Sequence, residues 1–349
     1  MQTEVHGGDI YTRPYRIDFS ANINPLGTPK AVLEAARRGV ARAADYPDIH
    51  CRKLREAISR REGVAAEEII CGNGAAELIF ALAQAVRPRR ALLTAPGFAE
   101  YEQALRTLGK DCQVEFYQCT KEQGFVLGED YLDRIGPDLD LIFLCNPNNP
   151  TGLLIPGPLL ERIAKKCRDC GVLLVLDECF IDLMKDGDSL SMKKKLPRMP
   201  EHLFILKAFT KLYAMAGLRL GYGLCANMEL LQKMRRVLQP WNVSIPAQEA
   251  GAAAMEETEF VRESVGYIAG ELAFLKREFG RLGLTFWDSR ANYLFFEGPG
   301  DLYDCCAREG ILIRDCGNYR GLGPGYFRVA VKRREENLEL IRVLEKVLR

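Results

Sequence analysis

Four short polar motifs stand at the ends of apolar runs, which is where an open parallel sheet binds its ligands. Cys145-Asn146-Pro147-Asn148-Asn149-Pro150-Thr151-Gly152 follows one apolar run, Asp177-Glu178 closes a second, and Thr210-Lys211 follows a third. Gly72-Asn73-Gly74 opens a predicted helix, whose first amides suit a phosphate. Together they offer an amine nucleophile, paired carboxylates, an amide side chain and an anion cradle. Taken singly, each has an ordinary reading. The asparagine-proline stretch is built of turn formers, the glycines could form a plain loop, Asp177 could cap the next segment, and Lys211 could be one solvated lysine among many. The set in this order is far more specific than any member.

Around these motifs the periodicity alternates between helix and strand. Helices are expected at 28–44, 75–86, 98–108 and 158–170, and strands at 91–94, 113–117, 141–145, 172–177, 203–206 and 218–224. Residues 172–176 form a near-continuous apolar run of the kind a parallel sheet buries on both faces. This predicts an α/β large domain, residues 45–240, with a mostly parallel sheet flanked by helices. A long helix at 259–282 and the shorter elements after it predict a smaller α+β domain from residues 241–349, completed by the N-terminal arm, residues 1–44.

The 349 residues are 48% hydrophobic and 27% charged, ample for a large core without disulfide or metal support. A net charge of +1 gives no electrostatic footprint for nucleic acid or an anionic membrane. No basic segment leads into an apolar stretch at the N-terminus, and the apolar runs fall short of a bilayer span. A cytoplasmic protein without nucleic-acid or membrane partners is expected. The 12 cysteines are scattered and read as free thiols. Cys167 and Cys170 lack a second pair or a histidine at ligand spacing, so no metal site is expected.

In this order the motifs resemble the pyridoxal-phosphate-dependent class I/II aminotransferases of fold type I, over essentially the whole chain. The resemblance implies pyridoxal 5'-phosphate as cofactor and a role for each matching residue. Lys211 would form the Schiff base with the cofactor aldehyde, its pKa lowered by burial and by Arg219. Asp177 would pair with the pyridinium nitrogen, Asn149 would bond the ring oxygen, and Phe98 would stack on the ring. The phosphate would rest on the amides of Ala75 and Ala76 just after Gly74, with Thr210 and Arg219 adding a hydroxyl and a guanidinium. Tyr46 would reach that phosphate across a homodimer interface, and Arg328 would grip the substrate carboxylate. Two positions depart from the family pattern: Phe180 stands where a tyrosine is common, and Ala208 where serine or threonine is.

Two branches of the family share this length. Histidinol-phosphate aminotransferases share Tyr46-Pro47-Asp48 and the Gly217-Leu218-Arg219 turn. The N-terminal His6-Gly7-Gly8-Asp9 and Asp18-Phe19-Ser20-Ala21-Asn22-Ile23-Asn24-Pro25 segments resemble instead the branch that decarboxylates L-threonine O-3-phosphate. Phe180 and Ile313-Arg314-Asp315-Cys316 agree with that branch. Under this resemblance His6, Asn22 and Arg314 would hold a substrate phosphate, with Asn149 and Arg328 at the amino-acid end. The expected partners are a small phospho-amino acid and a second copy of the chain. The products would be carbon dioxide and (R)-1-amino-2-propanol O-2-phosphate, the aminopropanol linker of cobalamin. Read alone, His6 is a surface histidine and Arg314 an ordinary residue at a strand end.

Overall fold

Leu141–Cys145 and Leu173–Asp177 are buried at every residue, so each must lie between other strands. The computed structural model describes residues 6–348. Its strands are β1 (Ile17–Asp18), β2 (Ile69–Gly72), β3 (Arg90–Ala95), β4 (Gln113–Gln118), β5 (Leu141–Cys145), β6 (Leu173–Asp177), β7 (Leu203–Ala208), β8 (Gly221–Leu224), β9 (Tyr293–Glu297), β10 (Ile311–Leu312), β11 (Arg314–Asp315) and β12 (Tyr326–Ala330). Seven of them form one sheet in the order β2-β8-β7-β6-β5-β3-β4.

From β4 across to β7 the pairing is parallel, whereas β8 runs antiparallel to both β7 and β2. Reversing twice leaves β2 pointing the same way as the parallel strands. The register aligns Gly72 with Gly221 and Gly221 with Ala208, and aligns Cys145 with Asp177. All the polar motifs therefore meet at one edge of the sheet, and Arg219 joins them because β8 begins there rather than ends there. At 218–224 the apolar pattern predicts a strand without a direction. The strand itself starts at Gly221, after a 3-10 turn at Ala216–Leu218 and a left-handed Arg219 with φ of +56°.

The first helix is Lys30–Val40, shorter than expected, and Thr28 does not cap it. Its hydroxyl instead donates to the Ala214 carbonyl at 2.8 Å. This helix lies against Ile245–Ala254, and a Cβ on Gly39 would come within 2.6 Å of the Pro246 backbone. A second sheet, β11-β12-β9, carries the C-terminal part, and β1 pairs with β10, tying the N-terminal arm to it. All 12 cysteines are free. No helix among the described residues is long and apolar enough to cross a membrane. Among them, no group of three or more histidine, cysteine or acidic side chains could hold a metal.

Beneath the polar edge lies a cluster of charges built around one buried lysine. Lys207, on β7 and 1% exposed, pairs with Asp182 at 2.9 Å and with Glu62 at 3.4 Å. Glu62 also accepts from Lys193 at 2.9 Å and from the Tyr222 hydroxyl at 2.5 Å. Burial opposes charge on both partners, but the Lys207 and Lys193 ammoniums outweigh it and hold Glu62 down at about 2. For Lys207, the carboxylates of Asp182 and Glu62 outweigh burial and raise its pKa. Neighbouring Glu178 accepts from Ser191 Oγ at 2.5 Å and Met192 N at 2.8 Å, yet burial still pushes it up to about 7. Removing Lys207 leaves the buried Glu62 carboxylate short of a partner. Lys207→Met is expected to lower unfolding stability by about 3–5 kcal/mol in denaturant titrations; a loss under about 1 kcal/mol would mean that the cluster is hydrated and weak.

Candidate active site

The polar edge opens into a cavity of about 1290 Å³. At one end stands the helix Ala75–Val86, whose N-cap is Gly74 with φ of +87° and no side-chain cap, so its first amides remain free for an anion. Close approach is built in here. A Cβ on Gly74 would lie 2.6 Å from an Arg219 terminal nitrogen, and one on Gly221 would lie 2.4 Å from the Ala75 amide. Ala75, Ala76, Thr210 and Arg219 all line this end of the cavity.

Lys211 lies in the middle, one turn past the end of β7. Its amine is lowered to about 8, chiefly by burial and next by the Arg328 guanidinium, with Arg219 contributing less. Sequence reasoning named burial and Arg219 and overlooked Arg328. The Phe180 ring faces the ammonium at 5.6 Å and packs edge-on against Tyr293 at 5.1 Å. Opposite, Asp177 is 5% exposed and its Oδ1 accepts from the Cys179 amide at 2.9 Å. Its Oδ2 accepts from the Tyr101 hydroxyl at 2.6 Å. Phe98, at the start of the helix Ala99–Arg106, lines the cavity beside them.

The other end belongs to the smaller sheet. Arg314 and Arg328 are directly cross-strand on β11 and β12, and both are 5% exposed. Their hydrogen bonds go to neutral acceptors. Arg314 donates to Asn318 Oδ1 at 2.8 Å and to the Asp315 carbonyl, with its guanidinium 5.2 Å from the Tyr319 ring centre. Arg328 donates to Asn149 Oδ1 and to the Ser20 carbonyl at 3.1 Å, and among the described residues its Nε has no hydrogen-bond partner. Asn22 is 2% exposed, and among the described residues its Oδ1 is likewise without one. His6 is exposed, with Nδ1 3.5 Å from Glu100 Oε1 at the cavity wall. Two buried guanidiniums bonded, among the described residues, to neutral groups keep their charge for an incoming anion.

The structure thus brings the sequence-selected residues to one cavity, with two set apart from its walls. Gly74 acts by making room. Tyr46 is 77% exposed, its ring 4.8 Å from that of Trp241, and does not line its own chain's cavity. Tyr101, Tyr319 and Tyr293 escaped the sequence reading. Only Tyr101 carried a signal, lying three residues after Phe98 and so on the same helical face.

Lys211→Ala is expected to abolish the visible band of the protein-attached cofactor, leaving only the spectrum of free pyridoxal phosphate. In the unaltered protein the rate of cofactor attachment, followed by stopped-flow absorbance, should rise with pH to a midpoint near 8, because the neutral amine is the nucleophile. Arg328→Leu removes a cation that disfavours the ammonium, so the midpoint should move upward. A midpoint above about 10 without substitution would contradict the buried, cation-flanked amine.

The family model described as aminotransferase class I and II matches residues 15–344. Threonine-phosphate decarboxylase of Salmonella typhimurium is 38% identical over 357 residues, covering 98% of this chain and 96% of that protein. Histidinol-phosphate aminotransferase 1 of Cupriavidus pinatubonensis is 33% identical over 349 residues, covering 95% of this chain and 88% of that one. Among solved structures, the histidinol-phosphate aminotransferase from Clostridium acetobutylicum matches with a TM-score of 0.89 at 30% identity, covering 95% of this chain and 99% of that chain. The chain belongs to the class I and II aminotransferase family, enzymes of fold type I that work with pyridoxal phosphate.

Proposed function

We propose that the protein decarboxylates L-threonine O-3-phosphate to (R)-1-amino-2-propanol O-2-phosphate and carbon dioxide. The observation that carries this reading is the cross-strand pair Arg314 and Arg328, two buried guanidiniums with neutral partners facing one cavity. A phospho-amino acid brings two anionic groups to such a pair. The 38% identity to a protein named threonine-phosphate decarboxylase supports the same choice.

The residues present fit the cofactor. Free helix amides and Arg219, crowded against Gly74, suit its phosphate, and the buried Asp177 carboxylate suits a protonated ring nitrogen. Asn149 would meet the ring oxygen, Phe98 a ring face, Thr210 the phosphate, and Lys211 the aldehyde. When bound, the cofactor supplies an electron sink for the bond broken at Cα.

The chain's own residues decide which bond that is. Arg314, Asn22 and His6 would take the substrate phosphate, an anchor distant from Cα that fixes its rotation. A salt bridge from Arg328 to the carboxylate, equally strong before and during reaction, would not hasten its loss. Binding energy spent at the phosphate end can do so, by orienting the carboxylate bond. Phe180 offers Lys211 a ring face and no hydroxyl, leaving the amine free to move a proton at Cα. In this reading Tyr46 serves a second copy of the chain, the protein working as a homodimer, and the product is the aminopropanol linker of cobalamin.

With pyridoxal phosphate and L-threonine O-3-phosphate but no keto acid, stoichiometric carbon dioxide and aminopropanol phosphate are expected. Amino transfer from glutamate to the keto partner of histidinol phosphate, with no carbon dioxide, would replace this reading with the aminotransferase one. Arg314→Gln should raise KM for the phosphorylated substrate about tenfold and lower kcat as well, because the lost anchor no longer orients the carboxylate bond. Phe180→Tyr should leave folding intact and increase abortive transamination, measured as pyridoxamine phosphate formed per turnover; no increase would remove Phe180 from the mechanism.

A further inference from the structure

We propose that Tyr101 is a positioning residue whose hydroxyl fixes the Asp177 carboxylate and moderates its charge toward the cofactor ring. The proposal rests on the reading that Asp177 meets the ring nitrogen. Each Asp177 oxygen has its own donor, the Cys179 amide at 2.9 Å on Oδ1 and the Tyr101 hydroxyl at 2.6 Å on Oδ2. Two donors from different elements set both the place and the plane of the carboxylate. The amide cannot move without the end of β6, so the phenol is the only adjustable member.

That phenol is itself held on several sides. Tyr101 is 4% exposed, its ring stacked on Phe143 at 4.8 Å with planes 8° apart and edge-on to Phe98 at 5.5 Å. Phe98 and Tyr101 belong to the first turn of one helix, so the segment that presents a ring to the cavity also aims the carboxylate. Burial and the Asp177 charge hold the phenol pKa well above its ordinary value, so it stays a donor across the working pH range. A short hydrogen bond to an ionised acceptor draws charge away from that acceptor. Without it, Asp177 would present a looser and more concentrated negative charge.

Tyr101→Phe keeps the ring and both aromatic contacts and removes the donor alone. The variant is expected to bind pyridoxal phosphate about tenfold more weakly in equilibrium titrations. The pH midpoint of its visible band should shift upward, because a less-shared carboxylate charge favours every nearby cation. Tyr131→Phe serves as the control. Tyr131 is fully buried, its hydroxyl has no hydrogen-bond partner among the described residues, and it packs against Tyr117 away from the cavity. Loss of its hydroxyl should move neither quantity. If Asp177→Asn weakens binding while Tyr101→Phe stays within about twofold in affinity and about 0.2 unit in midpoint, the Tyr101 proposal is overturned. If Asp177→Asn itself binds like the unaltered protein, the ring-nitrogen reading falls, and the proposal with it.

Discussion

The Lys207 ammonium, itself almost fully buried and clamped between buried Glu62 and half-buried Asp182, is the interaction on which the placement of the active-site residues depends. Lys207 lies four residues before Lys211, and Asp182 five residues after Asp177. Glu62 ends the helix Arg52–Glu62, and Tyr222, which donates to Glu62, lies on β8. One cation therefore ties together the ends of β6 and β7 and the start of β8. In a low-dielectric interior such attraction is strong and distance-sensitive, and neither Lys207 nor Glu62 can be released to water at low cost. The sheet edge that carries the chemistry is held from below by charge.

Above that edge the arrangement is inverted. The buried cations below are matched with carboxylates, whereas Arg314 and Arg328 above them are bonded to an amide side chain or backbone carbonyls. Burial first and the Arg328 guanidinium next depress the Lys211 amine, and the same guanidinium attracts anions. Asp177, one of the carboxylates lining this region, is fixed by two donors of its own. Charge matching supports the scaffold, and charge mismatch defines the cavity.

Much of this was legible in the sequence where local pattern and chemistry coincide. The buried β5, β6 and β7 are built on short apolar runs, and the polar residues at or just after their ends mark the site directly. Asn149, Asp177 and Lys211 are visible for that reason. What stayed hidden depends on pairing across distance. An apolar run such as 221–224 reads alike in either direction, so the reversal of β8, which brings Arg219 to the site, has no local signal. The helices Arg52–Glu62 and Ile245–Ala254 went unread, the first because its buried face is narrow among many arginines, the second because alanine and glycine give little periodicity. The second donor on Asp177 and the direct influence of Arg328 on Lys211 are likewise products of tertiary placement.

The β2–β8 pair has a consequence for how the molecule assembles. Gly72 meets Gly221 only when a chain nearly the length of the large sheet has already been laid out, so this edge closes through one of the least local contacts in the sheet. Gly74 sits just past one of these strands and Arg219 just before the other, so the anion cradle does not exist until that closure is made. Non-local pairing of this kind is slow relative to helix formation. The competence to capture a phosphate is thus a late property of the folding chain, and a ligand that binds the finished cradle rewards the complete topology rather than any compact intermediate.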